Sequence, residues 1–142
     1  MALDSASSRR GPVFLLADDD RPAADAITGK MFPECYFIVQ VTNPRHVRNY
    51  AKRLAPEVVF LAEPLTYPGG TETLLRRLVE DPGIPVIVLS EVWSPQVSEH
   101  WKKRGALDCL PHPTRFSQRF EMLRCAMLDL ALAAAHRAED RT

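Results

Sequence analysis

The chain has 142 residues, of which 46% are hydrophobic and 25% charged, and its formal net charge is zero. This length and balance predict one soluble globular domain. The chain has no net positive charge, which argues against nucleic acid as a partner, because phosphate binding needs a clustered positive field. No segment is apolar over enough residues to predict a membrane span. The three cysteines have neither metal-type nor redox-type spacing, so we expect reduced thiols in a cytoplasmic protein.

The first half of the chain alternates short apolar runs with longer amphipathic stretches. Pro12–Ala17 is apolar throughout and predicts a buried strand. Pro22–Met31 predicts a helix, with Asp20 as its N-cap. Tyr36–Val41 is rich in aromatic and β-branched residues and predicts a second strand. Pro44–Leu54 predicts a second helix that begins with proline at its first position.

The second half of the chain repeats the same alternation. Glu57–Leu61 and Val86–Leu89 predict two further apolar strands. Thr71–Asp81 predicts a helix that Thr71 caps, and a proline and a glycine follow it. A helix is expected to open at Ser94-Pro95 and to end near Gly105, before a short fifth strand at Ala106–Leu110. A last helix follows.

The order is strand then helix, five times over, and the strands are apolar throughout rather than alternating. Such strands belong to parallel sheets that are covered on both faces. We therefore predict an α/β fold with a doubly wound five-stranded parallel sheet of the flavodoxin-like type. Residues 1–11 are expected to form a flexible N-terminal tail, residues 12–127 the domain, and residues 128–142 a helical extension and tail. In this fold the functional crevice lies beyond the carboxyl ends of the strands.

Three consecutive aspartates, Asp18, Asp19 and Asp20, follow the first predicted strand. Packed carboxylates repel one another and usually have a compensating cation. The group therefore suggests a pocket for a hard divalent cation such as Mg²⁺. Alternatively, Asp20 caps the next helix while Asp18 and Asp19 are solvated.

Five pieces of sequence follow one another at a distinctive spacing. They are Leu15–Asp20, Pro56–Leu61, Gly70, Pro85–Ser90, and Gly105-Ala106 followed by Pro111-His112-Pro113. Together they resemble the CheY-like receiver domains of bacterial two-component response regulators, over about residues 12–127. The resemblance implies a (βα)5 fold, a signalling function in a phosphorelay, an aspartate that accepts a phosphoryl group, and a Mg²⁺ ion beside it.

The chain departs from that family at three positions. Counting back from Gly70 places the phosphoacceptor position on Ala62, whose methyl group cannot attack a phosphoryl donor. The family's lysine is replaced by His112, and its aromatic switch residue by Cys109. The pocket residues that remain are Asp18, Asp19 and Ser90. We therefore identify the chain as a degenerate receiver, a pseudo-receiver, and expect no enzymatic activity.

Two further residues of this pocket have alternative interpretations. Glu63 could replace the acceptor as a permanent acidic group. Because neighbouring strand residues point to opposite faces and Pro64 follows, a loop carboxylate in solvent is favoured. His112 could pair with Asp18 and Asp19. Because histidine is shorter than lysine, a loop histidine held between two prolines is favoured.

No cofactor is expected, and at most weak Mg²⁺ binding. The resemblance leaves Asp19 as a metal ligand, Asp18 through water, and the carbonyl of Pro64. The loss of the acceptor carboxylate should weaken binding strongly, because Mg²⁺ gives up its water reluctantly.

The last predicted helix begins at Phe116 and carries apolar residues in a four-three rhythm. From Cys125 to Ala135 it is apolar on almost all sides, which favours burial on more than one face. We expect it to form a homodimer contact or to dock a partner, although it could fold back onto its own domain. The candidate interface residues are Phe120, Met127, Leu128, Leu130 and Leu132.

Three functions are compatible with these features. The first is a signalling module that contacts other signalling proteins, such as a kinase, an effector or another regulator. For such a module the resemblance implies a docking face on the fourth helix, fifth strand and fifth helix. Trp93, Trp101 and Phe116 lie along that stretch. The second is a true phosphoacceptor with displaced chemistry, on Glu63, Ser90 or one of the three aspartates. The third is a small α/β ligand-binding domain, although the chain has no glycine-rich phosphate loop and no nucleotide fingerprint.

Overall fold

The protein alternates strands with helices along the chain. The computed structural model describes residues 13–31, 37–81, 83–113, 125–126, 128–130, 132–133 and 136. The strands are β1 Val13–Ala17, β2 Phe37–Val41, β3 Val58–Glu63, β4 Val86–Ser90 and β5 Asp108–Pro111. The helices are α1 Arg21–Met31, α2 Val47–Leu54, α3 Gly70–Glu80 and α4 Pro95–Lys103, and a 3₁₀ turn at Pro44–His46 precedes α2.

The five strands form one parallel sheet in the order β2-β1-β3-β4-β5. The prediction of a doubly wound five-stranded parallel sheet is confirmed. The strand order reverses beside β1, because the chain runs outward from β1 to β2 and then returns to β3. A crevice at the carboxyl ends of β1 and β3 is the expected place for a functional site in such a sheet.

Helices cover both faces of the sheet, and each face has its own apolar cluster. On one face, side chains of α2, α3 and α4 such as Ala51, Leu74 and Trp101 pack with inward residues of the strands. On the other face, Ala24 and Ile27 of α1 pack with Phe14 and Phe60 and with others. This double burial explains why the strands are apolar throughout.

The ends of several elements differ from the sequence-based boundaries. β3 continues two residues beyond Leu61, because Ala62 pairs with Leu89 and Glu63 with Ser90 in an unbroken register. α3 begins at Gly70, and its N-cap is Gly69, whose φ is 85°. The prediction that Thr71 caps this helix is therefore wrong.

The predicted cap at Asp20 is confirmed, and two further residues, Asn43 and Ser94, cap the helical segments predicted to begin there. The Asp20 carboxylate accepts a hydrogen bond from the Ala23 N–H at 3.2 Å. The Asn43 side chain accepts from Arg45 N–H. The Ser94 hydroxyl accepts from Val97 N–H. Each satisfies a backbone donor that the first turn of a helix leaves free.

The C-terminal part of the chain is helical at residues 125–126, 128–130, 132–133 and 136. Leu128 and Leu130 pack against the cluster that contains Phe14, so the domain itself covers part of the apolar surface that suggested a dimer. Phe116, Phe120 and Met127 lie outside the described residues, as does the predicted tail 1–11. The homodimer contact stays a prediction. None of the helices in the described ranges has the length and apolar character of a membrane span.

Candidate functional site at the carboxyl ends of the strands

The chain reaches the predicted crevice at the end of each of the four strands β1, β3, β4 and β5. Asp18 and Asp19 directly follow β1, and Glu63 and Ser90 are the last residues of β3 and β4. His112 directly follows β5, where its N–H donates to the Ser90 carbonyl at 2.8 Å. Residues separated by most of the chain therefore meet at one edge of the sheet.

Asp18 and His112 form a buried pair. Nε2 of His112 lies 3.0 Å from Oδ2 of Asp18, and the two side chains are only 3% and 4% exposed. At this distance the imidazole nitrogen and the carboxylate oxygen share one hydrogen bond. The expectation of a loop histidine too short to reach the aspartates is wrong. The backbone bond from His112 to Ser90 brings the ring over Asp18.

The three aspartates have three separate roles. The other oxygen of Asp18 accepts from the Asp20 N–H at 3.0 Å. Asp19 is exposed, and its Oδ2 accepts from the Thr66 N–H at 3.0 Å. Asp20 caps α1. Of the two solvated carboxylates expected in the alternative interpretation, only Asp19 is exposed, because Asp18 is buried with His112.

Ala62 is buried within an apolar core cluster and is 3% exposed. β1 and β3 pair through Ala17 and Leu61, so Asp18 and Ala62 follow at the same level of the two strands. A methyl group therefore stands beside the buried aspartate. It offers no oxygen to a phosphoryl donor or to a cation.

Glu63 is a strand residue and is half-buried, not a solvated loop carboxylate as expected. It lies level with Ser90, and its Oε1 is 3.5 Å from the Ser90 hydroxyl. That hydroxyl has one proton, and the Val92 carbonyl accepts it at 2.8 Å. The contact between Glu63 and Ser90 is consequently weak. The peptide bond from Glu63 to Pro64 is cis.

The oxygens that a Mg²⁺ ion would need are partly engaged. In the described ranges, no three His, Cys, Asp or Glu side chains are grouped closely enough to hold a metal ion. Both Asp18 oxygens have protein partners, one Asp19 oxygen binds the Thr66 N–H, and Ala62 has none to give. Mg²⁺ prefers octahedral oxygen coordination that includes carboxylates, and this arrangement fits that requirement poorly.

We therefore expect millimolar Mg²⁺ to leave the melting temperature of the protein unchanged relative to NaCl at equal ionic strength. While the ion concentration stays below Kd, binding raises the free energy of unfolding by less than about 0.4 kcal/mol. Thermal unfolding followed by fluorescence measures this. A Mg²⁺-specific rise that the Asp19→Asn variant abolishes would contradict the prediction.

Cys109, which the sequence resemblance placed at a switch position, is buried in β5 beside α4. Burial, with a smaller contribution from the Asp108 carboxylate, raises the pKa of its thiol to about 12. Its backbone carbonyl accepts a hydrogen bond from the indole N–H of Trp93 at 2.9 Å. The residue therefore serves packing and anchors the loop after β4.

The raised pKa of Cys109 predicts a thiol that resists alkylation. Thiolates, not thiols, react, so iodoacetamide at neutral pH should modify the exposed Cys125 and leave Cys109 intact in the folded protein. Peptide mass mapping after a timed reaction distinguishes the two sites. Equal labelling rates at Cys109 and Cys125 would refute the prediction. As a control, both cysteines should be labelled in urea, where unfolding exposes them.

Sequence reasoning missed the backbone groups of two loop residues at the site. The Thr66 N–H holds Asp19, and Val92 exchanges hydrogen bonds with the Ser90 hydroxyl through both its carbonyl and its N–H. Both lie in loops after strands, and no side-chain type marks them. The only available indication was the position of these loops at the crevice.

Comparisons with known proteins agree with this architecture. No protein-family model matches the sequence, and the search of curated proteins found no match. The structure is similar to the signal receiver domain described as that of a LuxO repressor protein from Vibrio parahaemolyticus, with a TM-score of 0.76 at 20% identity over 92% of this chain and 98% of that one.

Two further solved structures give the same result. The response regulator domain of Thermotoga maritima CheB has a TM-score of 0.71 at 17% identity, over 88% of this chain and 96% of that one. The receiver domain of Francisella response regulator 1452 has a TM-score of 0.66 at 22% identity, over 82% of this chain and 99% of that one. These similarities, together with the strand order and the acidic crevice, show that the chain has the fold of response-regulator receiver domains.

Proposed function

We propose that the protein is a receiver-like module of a two-component signalling system that acts in the cytoplasm by contact with other signalling proteins, without phosphorylation at position 62. The observation that carries the proposal is Ala62. Its methyl group occupies the predicted acceptor position and is buried in an apolar cluster. No covalent switch can be built there.

The charges at the crevice support the same proposal. Asp18 is already paired with a buried histidine, so it is neither free to bind a metal nor exposed to a phosphodonor. Asp19 holds the Thr66 backbone through one oxygen. What remains for signalling is the surface of the domain, and the candidate partners are a kinase, an effector or another regulator.

The matching test is phosphorylation by a small donor. We expect incubation with acetyl phosphate and Mg²⁺ to leave the intact mass of the protein unchanged, because no accessible carboxylate stands at the acceptor position. Mass spectrometry under native and denaturing conditions measures this. A gain of one phosphoryl group would contradict the proposal.

Two variants identify the displaced acceptor if such a gain occurs. Glu63 and Ser90 lie level at the ends of β3 and β4, which makes them the second candidates for phosphoryl chemistry. Loss of the gained mass in Glu63→Gln but not in Ser90→Ala would assign an acyl phosphate to Glu63. The reverse pattern would assign a phosphoester to Ser90.

A further inference from the structure

We propose that a groove between the ends of β3 and β4 and helix α4 binds a basic side chain, flanked by apolar residues, of a partner protein. This inference rests on the proposed contact function and names its surface and the chemistry of its partner. Glu63 would be the anchor for the positive charge.

The groove has a volume of about 540 Å³. Glu63 and Ser90 line it at the strand ends, together with the apolar Val92, Val97 and Trp101. The polar residues Gln96 and His100 of α4 complete the lining. A volume of this size fits within the ~300–1,000 Å³ of ordinary ligand sites.

The groove lies on the side of α4 that faces α3. The described lining residues come from β3, β4, the following loop and α4. An ion pair of 3.1 Å between Arg104 and Glu72 joins α4 to α3 on the same side. The surface therefore differs from the face of α4, β5 and the last helix that the family resemblance implied.

Glu63 places a carboxylate in the groove, and no cation of the described residues pairs with it. None of the ion pairs in the described part of the chain involves Glu63. Its contact with the Ser90 hydroxyl is 3.5 Å long, and that hydroxyl donates to Val92 instead. A half-buried carboxylate without a strong donor gains most from an incoming cation, because charge-assisted hydrogen bonds are the strong ones.

The rim of the groove is apolar and exposed. Val92, which lines the groove, is 74% exposed, and its neighbour Trp93 in the loop after β4 is 38% exposed. Two hydrogen bonds between Val92 and the Ser90 hydroxyl, and one from Trp93 to the Cys109 carbonyl, fix this loop. A rigid rim with large apolar side chains is typical of protein–protein contacts rather than of small-molecule sites.

The occupant follows from these two properties. An open groove with an exposed apolar rim fits a segment of another protein, and the carboxylate requires that segment to carry arginine or lysine at the point of insertion. The neutral or acidic surface of a partner would leave Glu63 facing apolar atoms, which costs free energy.

The test uses the full chain and its own tryptophans. The sequence has two, of which Trp101 lines the groove and Trp93 follows the lining residue Val92, so intrinsic fluorescence reports on the groove through Trp101. The probe is a short peptide, blocked at both ends, with one arginine between leucines. The matched probe has citrulline, which is neutral, in place of arginine.

We expect a saturable fluorescence change with the arginine peptide and an affinity lower by about tenfold or more in Glu63→Gln. The citrulline peptide should lose the same factor on the unmodified protein, so the conclusion does not depend on the folding of a variant. The control variant is Glu99→Gln. It removes an exposed carboxylate of α4 that does not line the groove, and it should leave the affinity unchanged.

Equal affinities of the two peptides, equal affinities of the unmodified protein and Glu63→Gln, or no saturable change at all would each overturn the inference. These outcomes would leave the absence of phosphorylation untouched. A phosphorylated chain, in turn, would contradict the proposed function, and the peptide titration is independent of that outcome because it is run without a phosphodonor.

Discussion

The Phe60→Ala variant is expected to lose about 3–5 kcal/mol of the free energy of unfolding. Phe60 is the third residue of β3, the central strand of the sheet, and it is 1% exposed. Its ring meets that of Phe14 edge to face, with centroids 5.9 Å apart at 75°. Truncation removes this contact and leaves a cavity that the neighbouring strands cannot close, because both are held in register. Since domains are stable by only about 5–15 kcal/mol, the loss is a large fraction of the total.

Urea unfolding followed by circular dichroism measures this effect, and the chain offers a matched control. Phe37 begins β2 at the edge of the sheet and is 61% exposed. The same change there, Phe37→Ala, should stay within about 0.5 kcal/mol of the unmodified protein. Similar losses in the two variants would mean that β3 does not lie at the centre of the core.

The His112→Leu variant is expected to destabilise the protein by about 3–5 kcal/mol, although leucine fills much of the same volume. The imidazole is the partner of the Asp18 carboxylate, and both groups are almost completely buried. Removal of the ring leaves a carboxylate that burial has taken out of water and that then lacks its main donor. The cost arises from the charge left behind, not from lost packing.

A double-mutant cycle separates the charge from the packing. Asp18→Asn keeps an acceptor for the Asp20 N–H but removes the charge. The combined Asp18→Asn/His112→Leu variant should therefore be more stable than the sum of the single changes predicts, with a coupling energy of about 0.5–3 kcal/mol. Additive effects in urea unfolding would show that the two side chains do not stabilise one another.

The fold was predictable because its determinants are local. Apolar runs mark the strands, and the caps at Asp20, Asn43 and Ser94 depend on a backbone donor two or three residues away. The actual role of Thr71, which the sequence suggested as the cap of α3, was not predictable from such local information. Its hydroxyl accepts from the buried Leu65 N–H six residues earlier, and the chain enters α3 through glycine instead.

The candidate site was predictable in its members but not in their partners. The residues that end each strand were identified from the sequence alone, since the carboxyl ends of parallel strands share one edge. His112 and Asp18 are 94 residues apart, and their contact depends on how far β5 runs and where its last backbone bond places the ring. The environment of Glu63 depends on the pairing of Ala62 with Leu89 and of Glu63 with Ser90, which no local sequence pattern predicts.

One consequence is that the crevice at the carboxyl ends of the strands has two parts. Asp18 pairs with His112, while Glu63 lies level with Ser90 on neighbouring strands. The first pair is closed and buried, whereas Glu63 opens into the groove beside α4. The acidic crevice thus combines a structural contact with a surface that can meet a partner.

The proposal that no residue of the crevice accepts a phosphoryl group is tested most directly by ¹H–¹⁵N spectra recorded while acetyl phosphate is added at constant Mg²⁺ concentration and ionic strength. A phosphorylated chain gives a second set of amide peaks around its acceptor. We predict a single set for Ala62, Glu63 and Ser90 throughout the titration. A second set at these residues, growing with the donor and missing in Glu63→Gln, would contradict the account.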